Sequence, residues 1–473
     1  MPGNGPLRTV IRAGVVVLAC YFAWLAIKEY GRPYDFFDMK IYHGAMAWWT
    51  QGGELYEFRH PTITLGYTYP PFAALTMLPM AGLTVLQAGW MNVVFGLAAL
   101  AFVCAVLLGP IARRHRWSQW GVVALAVAVF AALEPVRESL GYGQVNMLLF
   151  GLVIADLVAL RKGWRWAGVG IGLATAIKLT PALFIVYLLA SKQWRAALTA
   201  GGAALAVTAG THLVAPEESR TYFGTVLWQT ERVGVADMTP NQSLAGLIAR
   251  LHDTAHAPSL LWLSFMLVVL AIGITRARTS HAEGDELTAF TIIGLTSNVI
   301  SPISWSHHLV WVIPAIIALF DQALRRRSAS RGIIARGRAT PGLHEPIWFP
   351  ALTGARHAAA AVGLYVLFVV SPIWPNEHQF PAVSHWADGV SGVLWENSFA
   401  IALVVLVVLL PYRPGAEPAF GPRVVARPRV VVRQPVRRDY DTAPTTITTA
   451  TVSAALGDDA ADAADKDQPV RGS

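Results

Sequence analysis

The chain has 473 residues, of which 54% are hydrophobic and only 14% charged, with a formal net charge of +8. Ordinary soluble domains carry about a quarter charged residues, so this composition excludes a soluble globular protein. The basic surplus is no nucleic-acid signal either. Its arginines and lysines flank long apolar stretches, where they set membrane orientation. Cys20 and Cys104 both fall inside apolar segments and read as packing residues, without a disulfide or metal framework.

Arg8 and Arg12 precede an apolar run to Ile27. No Ala-x-Ala cleavage site follows, so the run reads as a retained first helix. Spanning the hydrocarbon takes about 20 apolar residues. Candidate spans are 10–28, 86–110, 118–134, 145–160, 197–214, 259–275, 286–302, 307–323, 357–373 and 396–412. A further stretch, Trp166 to Ala190, is interrupted by Lys178 and Pro181.

Basic clusters orient the spans: Arg113–Arg116, Arg161–Arg165, Lys192 with Arg195, Arg276 with Arg278, and Arg325–Arg327. If all are cytoplasmic, Trp166–Ala190 must enter and leave on one side, as two half-helices turning at Ile177–Pro181. The expected fold is an all-α polytopic bundle over 1–412 with about 12 transmembrane segments and both termini inside. The loops of unusual composition (29–71, 134–144, 215–258 and 374–395) then share the opposite face. Residues 413–473, rich first in Pro and Arg and then in Thr, Ala and Asp, read as a disordered cytoplasmic tail.

That shared face holds the polar residues able to do chemistry. Asp38 and Tyr42 lie four apart on an amphipathic helix whose apolar positions are Phe37, Ile41, Ala45 and Trp48. A carboxylate near the hydrocarbon boundary has its charged form disfavoured and suits a general base. The same aspartate could instead cap the helix or pair with Lys40. Tyr69, in Tyr69-Pro-Pro-Phe72, reads as a turn or as a stacking platform for a sugar. Lys178 is a lone cation in apolar sequence, either snorkelling or facing a phosphate. Arg137 sits between Glu134 and Glu138 and could pair with either or contact substrate. Asn146 closes the Gly143-Gln-Val-Asn146 stretch. Asn241-Gln242-Ser243 reads first as a helix cap and is formally a glycosylation sequon. Trp305, His307 and His308 stand in Ser301-Pro-Ile-Ser-Trp-Ser-His-His308, and one of the two histidines would face a cavity. Adjacent histidines point about 100° apart on a helix and make a poor metal pair.

Asp35–Tyr42, Leu55-Tyr56, Tyr69–Phe72, Gly143–Asn146, Ile177–Pro181, Asn241–Ala245 and Ser301–His308 follow one another from about 35 to 320. In order and spacing they resemble the actinobacterial polyprenol-phosphate-mannose-dependent α-(1→2)-mannosyltransferases. The resemblance implies a GT-C type membrane glycosyltransferase with interfacial helices on the periplasmic side. It would move mannose from polyprenyl-phosphate mannose to a mannosylated glycolipid, a phosphatidylinositol mannoside or lipomannan, with inversion. Asp38 would be the base, and His307, His308 and Lys178 would hold the leaving phosphate, with Arg137 a weaker choice. Tyr42, Tyr69, Asn146, Asn241, Gln242 and Trp305 would line the substrate site. No cofactor, divalent metal or nucleic-acid partner is expected, and the oligomeric state stays open. An arabinofuranosyltransferase using decaprenyl-phosphoryl-arabinose is the near alternative, and a lipid transporter or flippase the distant one. The absence of an inverted repeat weighs against transport.

The orientation is testable directly. A cysteine introduced at Gly53 should react with an impermeant thiol reagent added to intact cells, and one at Ser328 should not; the reverse pattern inverts the topology.

Overall fold

The computed structural model of the chain describes residues 5–63, 65–338 and 354–416. Among these, regular structure is helical apart from one antiparallel bridge between Asn241 and Trp305. In chain order the α-helices are α1 (Gly5–Tyr30), α2 (Phe37–Thr50), α3 (Pro71–Met77), α4 (Val85–Arg114), α5 (Gln119–Ala131) and α6 (Glu134–Tyr142). They continue as α7 (Asn146–Arg161), α8 (Val169–Ile177), α9 (Ala182–Ala190), α10 (Trp194–Val214), α11 (Pro216–Gly224) and α12 (Leu244–Leu251). The last six are α13 (Ser259–Ala282), α14 (Glu286–Ile300), α15 (Val312–Arg338), α16 (Ala355–Val370), α17 (Gly389–Glu396) and α18 (Ser398–Leu409).

By length and composition α1, α4, α10 and α13 each suffice to cross a bilayer, and the bent pairs α5–α6 and α17–α18 meet the same test. Val10, Val17 and Phe22 on α1 and Leu260 and Phe265 on α13 lie half or more exposed. In water such faces would aggregate, whereas in lipid they are the required surface. The chain is a multi-pass membrane protein.

Small residues set the closest helix contacts. A Cβ on Gly172 of α8 would lie 2.5 Å from the Ala200 carbonyl oxygen on α10, and one on Gly168 would lie 2.3 Å from that of Ala196. Only glycine permits this approach, the usual device for packing helices inside a membrane. Every residue of α14 from Glu286 to Val299 is buried, and α9, α13, α15 and α18 surround it. At 15 residues this helix is about 22 Å long and serves as the axis of the core.

The expected break in Trp166–Ala190 falls where the sequence placed it: α8 ends at Ile177 and α9 begins at Ala182. Three expectations need correction. Residues 134–142, read as a loop, form α6, bent 78° from α5 and buried along most of its length. The α2 stripe is split: Ile41 and Ala45 are buried, as are Met39, Tyr42 and Met46, while Phe37 and Trp48 face outward. This helix packs on protein, so its apolar residues need not share one lipid-facing side. Finally, Arg413, taken as the start of a free tail, is buried with its guanidinium 2.5 Å from Asp285 and 3.0 Å from Asp321. The bundle therefore continues past Leu409. The rest of the expected tail, 417–473, lies outside the described residues.

Arg137 on α6 joins three parts of the chain. Its guanidinium pairs with Glu134 at 2.8 Å and donates to the carbonyls of Tyr30, Ala132 and Val369, to Ser371 Oγ and to Tyr34 Oη. Trp374 Nε1 donates to the other oxygen of Glu134 at 2.6 Å. Removing one partner of such a buried pair strands the other charge at a cost of about 3–5 kcal/mol. Arg137→Met should therefore lower the melting temperature in detergent markedly, and adding Glu134→Gln should recover part of the loss. Equal melting of wild type and single variant would remove this clamp from the fold.

Candidate active site

The site is built outward from the end of α6. Gly143 caps that helix with φ of +78°, a left-handed conformation that glycine adopts without strain. A Cβ there would lie 2.6 Å from Met39 Cβ, so glycine also admits α2 against the cap. The approach brings Asp38 beside Gln144, and both line one cavity. Burial pushes the Asp38 carboxyl up to about 6, with the Gln144 side chain and the charge of Lys178 opposing the shift. Lys40, the alternative partner, pairs with Asp35 at 2.5 Å and leaves Asp38 to the cavity.

Lys178 occupies the gap between α8 and α9, in extended conformation after Ile177. Its ammonium donates to Asn146 Oδ1 at 3.1 Å and lies 2.9 Å from His308 Nε2. It also lies 3.5 Å from Tyr69 Oη and over the same ring at 5.3 Å. Tyr69 Oη donates to Gln144 Oε1 at 3.0 Å and accepts from Tyr42 Oη at 3.2 Å. Asn146, the first residue of α7, donates to the His307 carbonyl at 3.1 Å and so ties Lys178 to the 304–308 turn. The Trp305 backbone N–H donates to His308 Nδ1 at 3.2 Å and orients that ring.

These groups open on a cavity of about 520 Å³ lined by Asp38, Tyr42, Tyr69, Lys178, Trp305 and His308, together with Gln144 and Arg232. Its remaining wall includes Leu183, Val186 and Ile300. A smaller polar pocket of about 50 Å³ adjoins it, lined by Asn146, Lys178, Ser297, Asn298, Ser304 and His308.

Six of the residues expected from sequence thus meet at one cavity, and Asn146 lines its annex. His308 is the histidine that faces it. His307 turns away: its ring packs edge-on against Tyr142, with Nδ1 4.0 Å from Glu138, while Ser306 Oγ donates to that same carboxylate. Arg137 is spent on the clamp described above and lines neither cavity. Asn241 and Gln242 are fully buried structural residues. Asn241 donates to the Ala236 and Pro302 carbonyls, and its Oδ1 accepts from the Ser304 N–H. Gln242 donates to the carbonyls of Thr239 and Glu396 and accepts from the Ala400 N–H. Ser243 caps α12, accepting from the Gly246 N–H at 3.1 Å, as the cap reading expects. A buried Asn241 also leaves the sequon inaccessible.

Sequence reasoning missed Arg232 and Asn298. Arg232 follows no apolar run, and its guanidinium is placed by the Tyr56 carbonyl at 2.8 Å, a contact made across 176 positions. Asn298 sits inside an apolar span whose polar side is defined only by its neighbours. Gln144 stood in a recognised stretch, but its role depends on α2 folding back over it. Among the described residues no cluster of three or more His, Cys, Asp or Glu side chains is arranged to hold a metal ion.

The fold and site are those of a helical membrane protein with a carboxylate, a lysine and an imidazole on one apolar-flanked cavity. Comparisons with known proteins supply its class. The family model for glycosyltransferase family 87 matches residues 67–302. A protein of Mycolicibacterium smegmatis named polyprenol-phosphate-mannose-dependent alpha-(1-2)-phosphatidylinositol mannoside mannosyltransferase is 30% identical over 413 residues, covering 81% of this chain and 87% of its own. The Mycobacterium tuberculosis protein of the same name is 32% identical over 333 residues, covering 67% and 76%. A second M. smegmatis protein, named polyprenol-phosphate-mannose-dependent alpha-(1-2)-phosphatidylinositol pentamannoside mannosyltransferase, is 32% identical over 337 residues, covering 67% and 76%. No solved structure matches the chain. The chain belongs to glycosyltransferase family 87, and it is a membrane glycosyltransferase.

Proposed function

We propose that this enzyme transfers mannose from polyprenyl-phosphate mannose to a phosphatidylinositol mannoside or lipomannan, forming an α-(1→2) linkage with inversion. The observation that carries the reading is the joining of Asp38, Lys178 and His308 on one cavity with an apolar flank. Family membership supplies the reaction type, and the names of the relatives supply the donor and acceptor classes. The bundle has about twelve crossings, both termini are cytoplasmic, and the cavity faces the exterior, where sugar donors are lipid-linked rather than nucleotide-linked.

One in-line displacement accounts for inversion. The acceptor hydroxyl oxygen attacks the anomeric carbon as its proton passes to Asp38. The bond from that carbon to the phosphate oxygen breaks, and the phosphate leaves with the electron pair. Lys178 and His308 receive the departing phosphate, since charge-assisted donors bind such oxygens strongly. Tyr42, Tyr69 and Trp305 offer ring faces to the sugars. A lone carboxylate suffices for this route, which needs neither a second carboxylate nor a metal ion.

Transfer by the purified protein should be assayed with polyprenyl-phosphate mannose, offering phosphatidylinositol mannosides and lipomannan fragments in parallel. Mannolipid product supports the reading. Product only from decaprenyl-phosphoryl-arabinose reassigns the sugar. Asp38→Asn should lower transfer by about a hundredfold to ten-thousandfold while the protein still folds and binds prenyl phosphate. Undiminished transfer removes Asp38 as the base.

The base must be ionised, and Asp38 is pushed up to about 6. The transfer rate should therefore fall about tenfold per pH unit as the pH drops below that value. A rate independent of pH between about 4 and 8 contradicts the assignment.

A further inference from the structure

A second cavity, of about 630 Å³, lies on the far side of Tyr42, a residue that lines both. It runs between α3, α4 and α7, and its lining includes Met39, Met77, Met80, Met91, Phe95 and Phe102. Along α4 it extends from Ala88 to Phe102, about 21 Å at the rise of an α-helix. Met91, Phe95 and Phe102 are each 40% or more exposed, so the slot opens on the outer surface of the bundle. In a bilayer that surface meets hydrocarbon. A long, open, apolar slot suits a hydrocarbon chain rather than a sugar. Methionines, flexible and polarisable, adapt to an irregular methyl-branched chain.

The inner end of the slot identifies which lipid it takes. Ile177 lines it and immediately precedes Lys178; Val145 lines it and immediately precedes Asn146, which holds Lys178. Leu149 lines both the slot and the small polar pocket formed by Lys178 and His308. A chain lying here ends beside Ile177 and Leu149, one residue from Lys178 along the backbone and one side chain from the pocket that Lys178 and His308 line. In a prenyl phosphate the group bonded to the chain's first carbon is the phosphate. In a diacyl glycolipid, a glycerol separates chain from phosphate, and the reacting sugar lies further away still. The glycolipid also has its own approach, because Leu183, Val186 and Ile300 form an apolar flank of the main cavity.

We infer that the slot between α3, α4 and α7 holds the isoprenoid chain of the donor, leaving the α9 flank to the acceptor lipid. The inference rests on the proposed transfer from a prenyl-phosphate sugar and places its two lipids on separate sides of Tyr42. Ala99 and Gly151 line the slot partway along its length, and a Cβ on Gly151 would meet Ala99 Cβ at an ordinary 3.5 Å. A Cβ at 151 is thus accommodated, and a larger side chain at either lining position takes up slot volume.

The test measures transfer by Ala99→Phe and Gly151→Leu with a full-length polyprenyl-phosphate mannose and with an analogue carrying a short prenyl chain. Val94→Phe, on the outward face of α4 and outside the slot, is the control. The KM for the long donor should rise about tenfold or more in both plugged variants, equivalent to about 1.4 kcal/mol. The KM for the short donor and for the glycolipid should stay at wild-type values. A raised acceptor KM, or unchanged values throughout, overturns the inference. A diazirine-bearing prenyl phosphate photolysed on the wild-type protein gives an answer that does not depend on the variants folding. Adducts on Met91 or Phe95 support the slot, and adducts confined to Leu183 or Val186 overturn it. Should the wild type transfer from neither donor, the proposed reaction fails, while the adducts still decide where the chain lies.

Discussion

Lys178 is a cation set at a break between two short apolar helices, and a charge there has to be satisfied by protein rather than by bulk water. The structure meets this demand with groups from three separate stretches: Asn146 at the start of α7, Tyr69 before α3 and, by its charge, Asp38 on α2; His308 in the 304–308 turn lies beside them. Each partner brings its own element with it. The cavity is thus a consequence of solvating one lysine inside a bundle. In the proposed transfer an oxygen of the leaving phosphate joins these partners.

A rigid frame lies behind the reactive groups. Arg137 joins α6 to residues around Tyr30 and Val369, and Glu138 takes the Ser306 hydroxyl, which fixes the turn bearing His308. Asn241 and Gln242 hold that turn and the start of α18 to the segment before α12. Charged and amide residues that look like substrate contacts in a linear reading are largely occupied here by backbone. Buried polar groups without such partners are costly, so their abundance near the site reflects how much irregular backbone converges there.

Much of this was legible in the sequence because the signals are local. An apolar run interrupted by Lys178 and Pro181 dictates a broken helix, and Ser243 before an apolar segment dictates a cap. The pairing of Asp38 with Tyr42 on one face follows from helical spacing. What was not legible depends on distant partners. Arg137 pairs with Glu134 because the two stand three apart on one face of α6, a spacing that a loop reading of 134–144 concealed, while the adjacent Glu138 turns to Ser306. His307 and His308 differ only in which way a short turn is rotated. Arg232 reaches the cavity through a carbonyl on Tyr56, and Arg413 joins the bundle through Asp285 and Asp321, contacts that no periodicity encodes.

The account joins two lipids, one sugar and a single carboxylate around the Lys178–His308 pair, so the position of the phosphate is its central claim. The most direct measurement is a cryo-electron microscopy structure of the protein bound to polyprenyl phosphate, the product of the donor. The phosphate should lie within hydrogen-bond distance of Lys178 Nζ and His308 Nε2, in the cavity that Asp38 also lines. A phosphate bound away from both groups, for instance at the Arg113–Arg116 cluster, would contradict the account.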